Sequence, residues 1–170
     1  MAKTRKRLPF KQNQFVVYPA HGVGKIQSVT SIEVLGKQTD VYEIYFRKDK
    51  MTVKVPIAKA LGNGLRRLST PEQITDALKI LTGKPKVKKA MWSRKAQEYD
   101  QKINSGDLVA ISEVVRDLHR NDEQREQSYS ERLLYEAALE RLAREVAVIE
   151  EVEELAAMKM IGTILASRAT

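Results

Sequence analysis

Apolar and polar residues alternate with a period of two in the first third of the chain. Tyr42, Ile44 and Phe46 fall on one side of an extended backbone, and the residues between them fall on the other side. This period is typical of half-buried β-strands, because successive side chains of a strand point to opposite faces. The pattern predicts strands over residues 14–18, 25–35, 40–47 and 51–55.

Turn-forming residues separate these predicted strands. We expect residues 22–24, which contain two glycines, to form a turn, and Gly36 with Lys37 to mark a hairpin. Pro56 cannot donate a hydrogen bond to a sheet and should end the last strand. Four or five short strands in about 60 residues predict a small barrel or a strongly bent sheet.

The hydrophobic period becomes helical after Ser69. Thr70, Pro71 and Gln73 form a helix start, with Thr as the N-cap and Pro at the first helical position. Apolar residues at helical spacing predict further helices over residues 88–103 and 108–119, another after Ser128, and a closing segment over residues 149–165. The acidic run at 150–154 is expected to be a solvated helix face, or else a polar break between two helices. The predicted fold class is therefore α+β, with a β-module followed by an all-α domain of four or five helices.

The net charge of +8 is unevenly distributed. Residues 1–95 contain 21 Lys and Arg against 6 Asp and Glu, whereas residues 96–170 contain 9 against 16. A cationic half favours an acidic partner, and nucleic acid is the commonest large polyanion, although basic surfaces also aid solubility. We expect residues 1–12 to form a basic flexible arm.

Candidate catalytic chemistry is sparse. The chain has no cysteine, which excludes disulfides and thiolate sites. His21 and His119 have no acidic or His neighbour at metal-ligand spacing, so we expect structural roles for both. The glycines before Lys25 lack the spacing and the following Ser or Thr of a phosphate-binding loop. We predict no enzymatic activity, no cofactor and no metal.

Two further features bear on location and membranes. No apolar run approaches the length needed to span a bilayer. The basic N-terminal segment lacks the apolar stretch and the small-residue cleavage site of a secretory signal. We therefore expect a cytoplasmic protein that does not insert into membranes.

A cationic segment surrounds the single tryptophan. Residues 84–95 contain six Lys and Arg and no acidic residue, with Trp92 among them. A lone tryptophan in a small protein is more often part of the core, but its neighbours here belong to types that are rarely buried. An aromatic side chain among cations is typical of a surface that follows phosphates and wedges against bases.

The segment at residues 51–55 is a candidate edge strand. It is short, prone to β structure and preceded by a cationic turn. An open edge can add a strand from a protein partner through main-chain hydrogen bonds. Lysines on an edge are also a means of blocking such pairing, so the spacing alone leaves both interpretations open.

Several motifs resemble the CarD-like (CdnL) family of bacterial transcription regulators. Residues 15–24 read FVVYPAHGVG and resemble the opening of that family. Residues 51–56 resemble the strand that closes its N-terminal module, a Tudor-like fold shared with the polymerase-binding domain of transcription-repair coupling factor. Residues 92–94, 105–107 and 113–118 resemble the helical domain of the stand-alone members, so the likeness extends over nearly the whole chain.

The resemblance implies a separate function for each of two domains. Residues 13–68 would be a Tudor-like RNA polymerase-interacting domain, and residues 69–170 a helical domain that contacts DNA. The first domain would bind the polymerase β subunit by strand pairing with flanking polar contacts. These would come from adjacent strands, at Ile32, Glu33, Val34 and Lys54.

The same resemblance assigns a role to Trp92. It would enter the minor groove of promoter DNA at the upstream edge of the melted region and stabilise the open complex, while Arg94 would hold the backbone. Lys88, Lys89 and Lys95 are assigned to DNA by charge and proximity alone. The protein is expected to act as a monomer and to bind DNA weakly and non-specifically without polymerase.

Two positions depart from the family pattern. Lys54 stands where some members have an Arg that contacts polymerase, which keeps the charge but loses the planar fork of a guanidinium. Ile32 occupies another position that is basic in such members. The polar contacts of the implied polymerase interface should therefore differ from theirs.

Two other functions fit the same features. An RNA- or ribosome-associated adaptor could use a small barrel and a basic helix, because the segment around Trp92 would also suit single strands. A protein–protein scaffold would have Trp92 in its core. Retention by the polymerase β subunit or by ribosomal RNA separates the first two, and exposure of Trp92 argues against the third.

Overall fold

The structure is a computed structural model that describes residues 8–86, 90–120 and 127–167. The chain divides between Arg67 and Leu68 into two compact units, here called the β-module and the helical unit. The β-module is built on strands and the helical unit on helices, which confirms the predicted α+β class. Within the described ranges, no helix has both the length and the apolar character needed to cross a membrane.

The β-module contains one antiparallel sheet and a single helical turn. Its strands are β1 (Phe15–Tyr18), β2 (Gly22–Val34), β3 (Lys37–Phe46), β4 (Met51–Pro56) and β5 (Arg66–Arg67), and α1 (Ile57–Ala60) precedes β5. The strands lie side by side in the order β4-β3-β2-β1-β5. The hydrophobic pattern predicted the first four strands to within a few residues. It did not predict β5 or α1, which are too short to show a period.

The side chains predicted to share one face of β3 form the centre of the β-module core. Tyr42, Ile44 and Phe46 are fully buried, together with Ile26 of β2. Burial raises the pKa of the Tyr42 hydroxyl, whose oxygen accepts a hydrogen bond from the backbone N–H of Phe10 at 3.2 Å. Phe10 is itself buried in this core, so the prediction of a flexible arm over residues 1–12 was wrong at this position.

Residues 22–24 belong to strand β2, and the turn predicted there from their glycines was wrong. The β1–β2 connection lies instead at residues 19–21. A Cβ atom on Gly24 would lie 2.7 Å from side-chain atoms of Ile44 and Phe46. The glycine therefore lets core side chains of β3 approach the β2 backbone. Such a close approach is a common reason for glycine inside a strand.

The helical unit is built from helices, several of which begin at a capping side chain. In its described part these are α2 (Pro71–Ile80), α3 (Trp92–Asn104), α4 (Leu108–Leu118), α5 (Tyr129–Glu150) and α6 (Glu154–Ser167). The predicted capping box is present, because Thr70 Oγ1 accepts from Gln73 N at 3.2 Å and Gln73 Oε1 accepts from Thr70 N at 2.9 Å. Asp107 and Ser128 cap α4 and α5 by accepting backbone N–H groups of the first turn.

Helix α3 begins later than predicted. Its first residue is Trp92, after Met91 as the N-cap, whereas the apolar spacing predicted a start near residue 88. The candidate DNA contacts Lys88 and Lys89 lie outside the described residues. Trp92 is therefore at the helix start, where its side chain is not enclosed by a preceding turn of the same helix.

Helix α4 is central to the helical unit and packs against α2, α3 and α5. Its predicted inward residues are all buried, namely Ile111, Val114, Val115 and Leu118. The same helix also buries two charged residues, Arg116 and Asp117. Charged side chains are rarely buried unless they are paired, and these two are paired with each other.

The acidic run near the C-terminus separates two helices, so the second of its two interpretations, a polar break, describes the structure. Helix α5 ends at Glu150, and Glu151 has a left-handed backbone with φ of 54°. Helix α6 then begins at Glu154. A left-handed residue after the last helical turn is a common helix stop.

Candidate nucleic-acid interface and open sheet edge

Trp92 lies at the surface of the helical unit with one edge fixed. Its side chain is 36% exposed and does not belong to the buried cluster of this unit. The indole N–H donates to Ser130 Oγ at 3.2 Å, and the ring centroid lies 6.4 Å from that of Tyr99. Met91 beside it is 78% exposed. An indole with a satisfied N–H and an exposed apolar part suits insertion into another surface.

Two of the predicted DNA contacts accompany Trp92 in the first turn of α3. Arg94 is exposed and Lys95 half-buried, and the backbone N–H groups of both donate to the Met91 carbonyl at 3.1 Å. This turn contains no acidic residue. The N-terminal end of a helix carries partial positive charge and favours anions, so cations there do not stabilise the helix. Cations there are available to contact an external anion such as a phosphate.

The buried Arg116–Asp117 pair supports the chain that leads to this site. Arg116 Nε donates to Asp117 Oδ1 at 2.8 Å, and the same carboxylate oxygen accepts the backbone N–H of Lys86 at 2.9 Å. Asp117 therefore fixes the start of the cationic segment to the centre of the helical unit. Both residues belong to the family-like motif at residues 113–118, but the sequence did not predict this function.

A second charged pair joins α3 to α4. Lys102 Nζ lies 2.9 Å from Glu113 Oε2. The hydrogen bond from Lys102 lowers the pKa of Glu113 below its usual range, more than partial burial raises it. Helix α3, whose first residue is Trp92, is thus braced against α4 by an ion pair as well as by packing.

Replacing Ser130 with alanine should loosen the Trp92 side chain. Without the hydroxyl acceptor, the indole N–H loses a hydrogen bond with a net contribution of about 1 kcal/mol. Acrylamide should therefore quench the fluorescence of Trp92 more strongly, a clean measurement because the chain has one tryptophan. Ser93→Ala, an exposed serine next to Trp92, is the matched control and should leave quenching unchanged. Equal quenching in Ser130→Ala and wild type would contradict the contact.

Strand β2 has an open edge along its second half. Strand β1 pairs with β2 only from Gly22 to Lys25, and backbone bonds from Asn13 and Gln14 extend this contact to Ile26. Beyond that point β2 pairs with β3 on its other side as far as Val34. Along the described chain, no strand covers the outer edge of residues 28–34. This edge contains the predicted polymerase contacts Ile32, Glu33 and Val34.

The edge of β4 and the open edge of β2 differ in their chemistry. The edge of β4 carries Lys54 and ends in Pro56, and both residue types hinder the addition of a strand. Residues 28–34 of β2 contain neither Lys nor Pro and are rich in β-branched side chains. The structure therefore favours the β2 edge over the β4 segment as the place where a partner strand could pair.

Lys54 and the β2 edge were predicted to lie on adjacent strands, and this prediction was wrong. Strand β3 lies between β2 and β4, so that Lys54 is about 10 Å across the sheet from β2. A polar ladder joins them on one face. Ser28 and Thr30 donate to Glu43 on β3 at 2.9 and 3.3 Å, and Lys54 Nζ lies 4.0 Å from Glu43 Oε1.

Both histidines have structural surroundings. The His21 ring lies against Tyr18 and Phe46, and its Nδ1 is 3.8 Å from Asp49 Oδ2. His119 Nδ1 lies 2.9 Å from the Tyr135 hydroxyl. Within residues 8–86, 90–120 and 127–167, no group of three or more side chains is placed to hold a metal ion.

Comparison with known proteins finds relatives for both units. The model of the CarD C-terminal domain matches residues 76–162, more than half of the chain, and that of the CarD-like/TRCF RID domain matches residues 10–69. The chain is 28% identical over 145 residues to YdeB of Bacillus subtilis (strain 168), which is named as a candidate transcription factor. That match covers 85% of this chain and 95% of YdeB. A solution structure of the 72-residue N-terminal domain of Myxococcus xanthus CarD is 28% identical and covers 39% of this chain and 89% of that one, with a TM-score of 0.31.

Proposed function

The chain belongs to the CarD-like family of transcription regulators, and we propose that it binds the RNA polymerase β subunit and stabilises the promoter open complex. Its match to the CarD-like/TRCF RID domain implies interaction with RNA polymerase in general. Members of the family are transcription factors and not enzymes. We propose that this chain likewise acts without catalysis or a cofactor, as a cytoplasmic monomer.

The observation that carries the DNA part of the proposal is the placement of Trp92. It is exposed at the start of a helix whose first turn holds cations and no acidic residue. Arg94 and Lys95 would contact phosphates while the indole of Trp92 enters the minor groove at the edge of the melted DNA. Unstacking a base step costs a few kcal/mol, so a wedge acts best where the duplex is already distorted.

The polymerase part of the proposal rests on the β2 edge. A strand of the β subunit would pair with the edge that contains Ile32, Glu33 and Val34, and main-chain hydrogen bonds would supply much of the affinity. Lys54, two strands away and level with Ser28 at the start of this edge, would add a polar contact from the same face. Residues 13–68 would thus serve as the polymerase-interacting domain and residues 69–170 as the DNA-contacting domain.

Retention on immobilised partners tests the proposal directly. The full chain should be retained by the RNA polymerase β subunit and should bind promoter DNA alone only weakly. That weak binding should decline as salt rises, because phosphate contacts release counterions. Retention by ribosomal RNA and not by the β subunit would support an RNA-associated adaptor instead and would overturn the proposal.

Reversing the charge of Lys54 should lower the affinity for the β subunit by roughly tenfold with the fold intact. A rim cation contributes mainly through complementary charge, so reversal both removes an attraction and adds a repulsion. Binding of Lys54→Glu to immobilised β subunit measures the loss. Lys59→Glu on α1 makes the same change in net charge and is the control. Equal loss in both variants would mean that overall charge, and not the Lys54 contact, determines binding.

A further inference from the structure

The tip of the β2–β3 hairpin carries a leucine that contributes nothing to the fold. Leu35 is 98% exposed, more than any other large hydrophobic residue that the structure describes in the β-module. It lies between Val34 and Lys37, which pair across the hairpin, so the loop consists of Leu35 and Gly36 alone. A Cβ atom on Gly36 would meet no atom within 4 Å, which places the tip in open space.

The backbone at this leucine is also unfavourable. Leu35 has φ of 50° and Gly36 has φ of 77°. Positive φ at both central residues is the pattern of a type I′ hairpin turn, which favours Asn, Asp or Gly at the first position. A leucine there is in a left-handed conformation, which is unfavourable because its Cβ atom comes too close to the following carbonyl oxygen. Leu35 is therefore disfavoured both by its exposure and by its backbone, and within the described chain no packing offsets either penalty.

The tip continues the open edge of β2. Residues 28–34 end directly at Leu35, and Val29 and Val34 on this segment are also exposed. A partner strand paired along these seven residues would extend about 23 Å and would reach the hairpin tip. Leu35 would then lie beside the partner backbone, with the polar residues Glu33 and Lys37 near it. Protein interfaces commonly place apolar contacts within a polar rim.

We propose that Leu35 is an apolar anchor, which enters a hydrophobic recess of the protein partner next to the strand that pairs with β2. This inference rests on the proposed function, in which the partner is the polymerase β subunit. It adds a residue that neither the charge pattern nor the resemblance assigned to the interface. The unfavourable turn in the free protein is offset when the leucine is buried in the complex.

The substitution Leu35→Asn should stabilise the hairpin of the free protein and weaken its binding to the partner. These opposite effects make the anchor testable. Asparagine suits the left-handed position, so hydrogen–deuterium exchange of the β2 and β3 amides in the full chain should slow by about fivefold. Affinity for immobilised β subunit should fall by at least about tenfold, because burying a leucine contributes more than one decade of affinity. Leu61→Asn is the control. That leucine is 62% exposed in the same module, with a right-handed φ of −66°, and its replacement should change neither quantity.

The outcomes distinguish the anchor from the proposed function. If Leu35→Asn binds the β subunit as tightly as wild type while Lys54→Glu loses affinity, the anchor is wrong and the proposed interface stands. If the wild-type chain does not bind the β subunit, the proposed function fails and the anchor with it. If amide exchange does not slow in Leu35→Asn, the leucine is not unfavourable in the free protein and the inference loses its physical basis.

Discussion

Replacing Trp92 with alanine should shorten the lifetime of the promoter open complex by roughly 5- to 150-fold while polymerase binding stays near the wild-type level. An aromatic ring stacked on a base contributes about 1–3 kcal/mol, and this range corresponds to that span of lifetimes. Trp92 is outside the buried cluster of the helical unit, so the variant should fold. The measurement is the decay of preformed open complexes after a competitor is added, with polymerase binding determined separately on immobilised β subunit.

The variant Trp92→Phe is the matched control for ring stacking. Phenylalanine keeps a flat apolar ring but cannot donate to Ser130, whose hydroxyl accepts the indole N–H at 3.2 Å. We expect it to retain most of the open-complex lifetime, with a smaller loss from poorer positioning. If Trp92→Ala instead unfolded the helical unit or abolished polymerase binding, the tryptophan would be a structural residue and the wedge assignment would be wrong.

A weak DNA contact can be effective because the β-module would hold the chain on RNA polymerase. Tethering a second binding site to one that is already occupied makes its binding intramolecular, at an effective concentration of the order of millimolar. A groove contact by Trp92, Arg94 and Lys95 therefore needs little intrinsic affinity or sequence preference. Loss of the polymerase contact at Lys54 should therefore also shorten the open-complex lifetime. Loss of Trp92 should leave polymerase binding unaffected.

The sequence predicted those parts of the molecule that local patterns determine. Alternation predicted the buried face of β3 at Tyr42, Ile44 and Phe46, and capping chemistry located the start of α2. Each of these signals lies within a few neighbouring residues. The glycines of residues 22–24 were misjudged for the same reason, since a turn and a close approach of two strands look alike in local sequence.

The supports of the candidate site depend on contacts between residues far apart in the chain. Ser130 meets the indole of Trp92 across 38 positions, and Asp117 meets the backbone of Lys86 across 31. No local pattern marks such contacts, although the adjacent charged residues Arg116 and Asp117 of helix α4 were an available signal. The open edge of β2 likewise follows from strand order, which periodicity does not give. Leu35 became notable only once its φ and its exposure were known.

Replacing Asp117 with alanine should lower the free energy of unfolding of the helical unit by about 3 kcal/mol. Asp117 is 7% exposed and accepts both Arg116 Nε and the backbone N–H of Lys86. Truncation takes the carboxylate partner from a buried guanidinium and leaves a backbone donor without its acceptor, and both effects are destabilising. Urea unfolding of the full chain followed by Trp92 fluorescence measures the loss, because that residue lies in the helical unit.

Two further variants identify the origin of this loss. Asp100→Ala removes an exposed carboxylate from α3 and should change the free energy of unfolding by less than about 0.5 kcal/mol. Changing the pair together, Arg116→Met with Asp117→Leu, should recover much of the stability, because a buried ion pair replaced by apolar residues is often nearly neutral. It cannot restore the acceptor for Lys86. We therefore expect the double variant to be stable yet still impaired in open-complex lifetime, because the cationic segment before Trp92 loses its attachment. Full activity in the double variant would mean that the bond to Lys86 has no part in positioning Trp92.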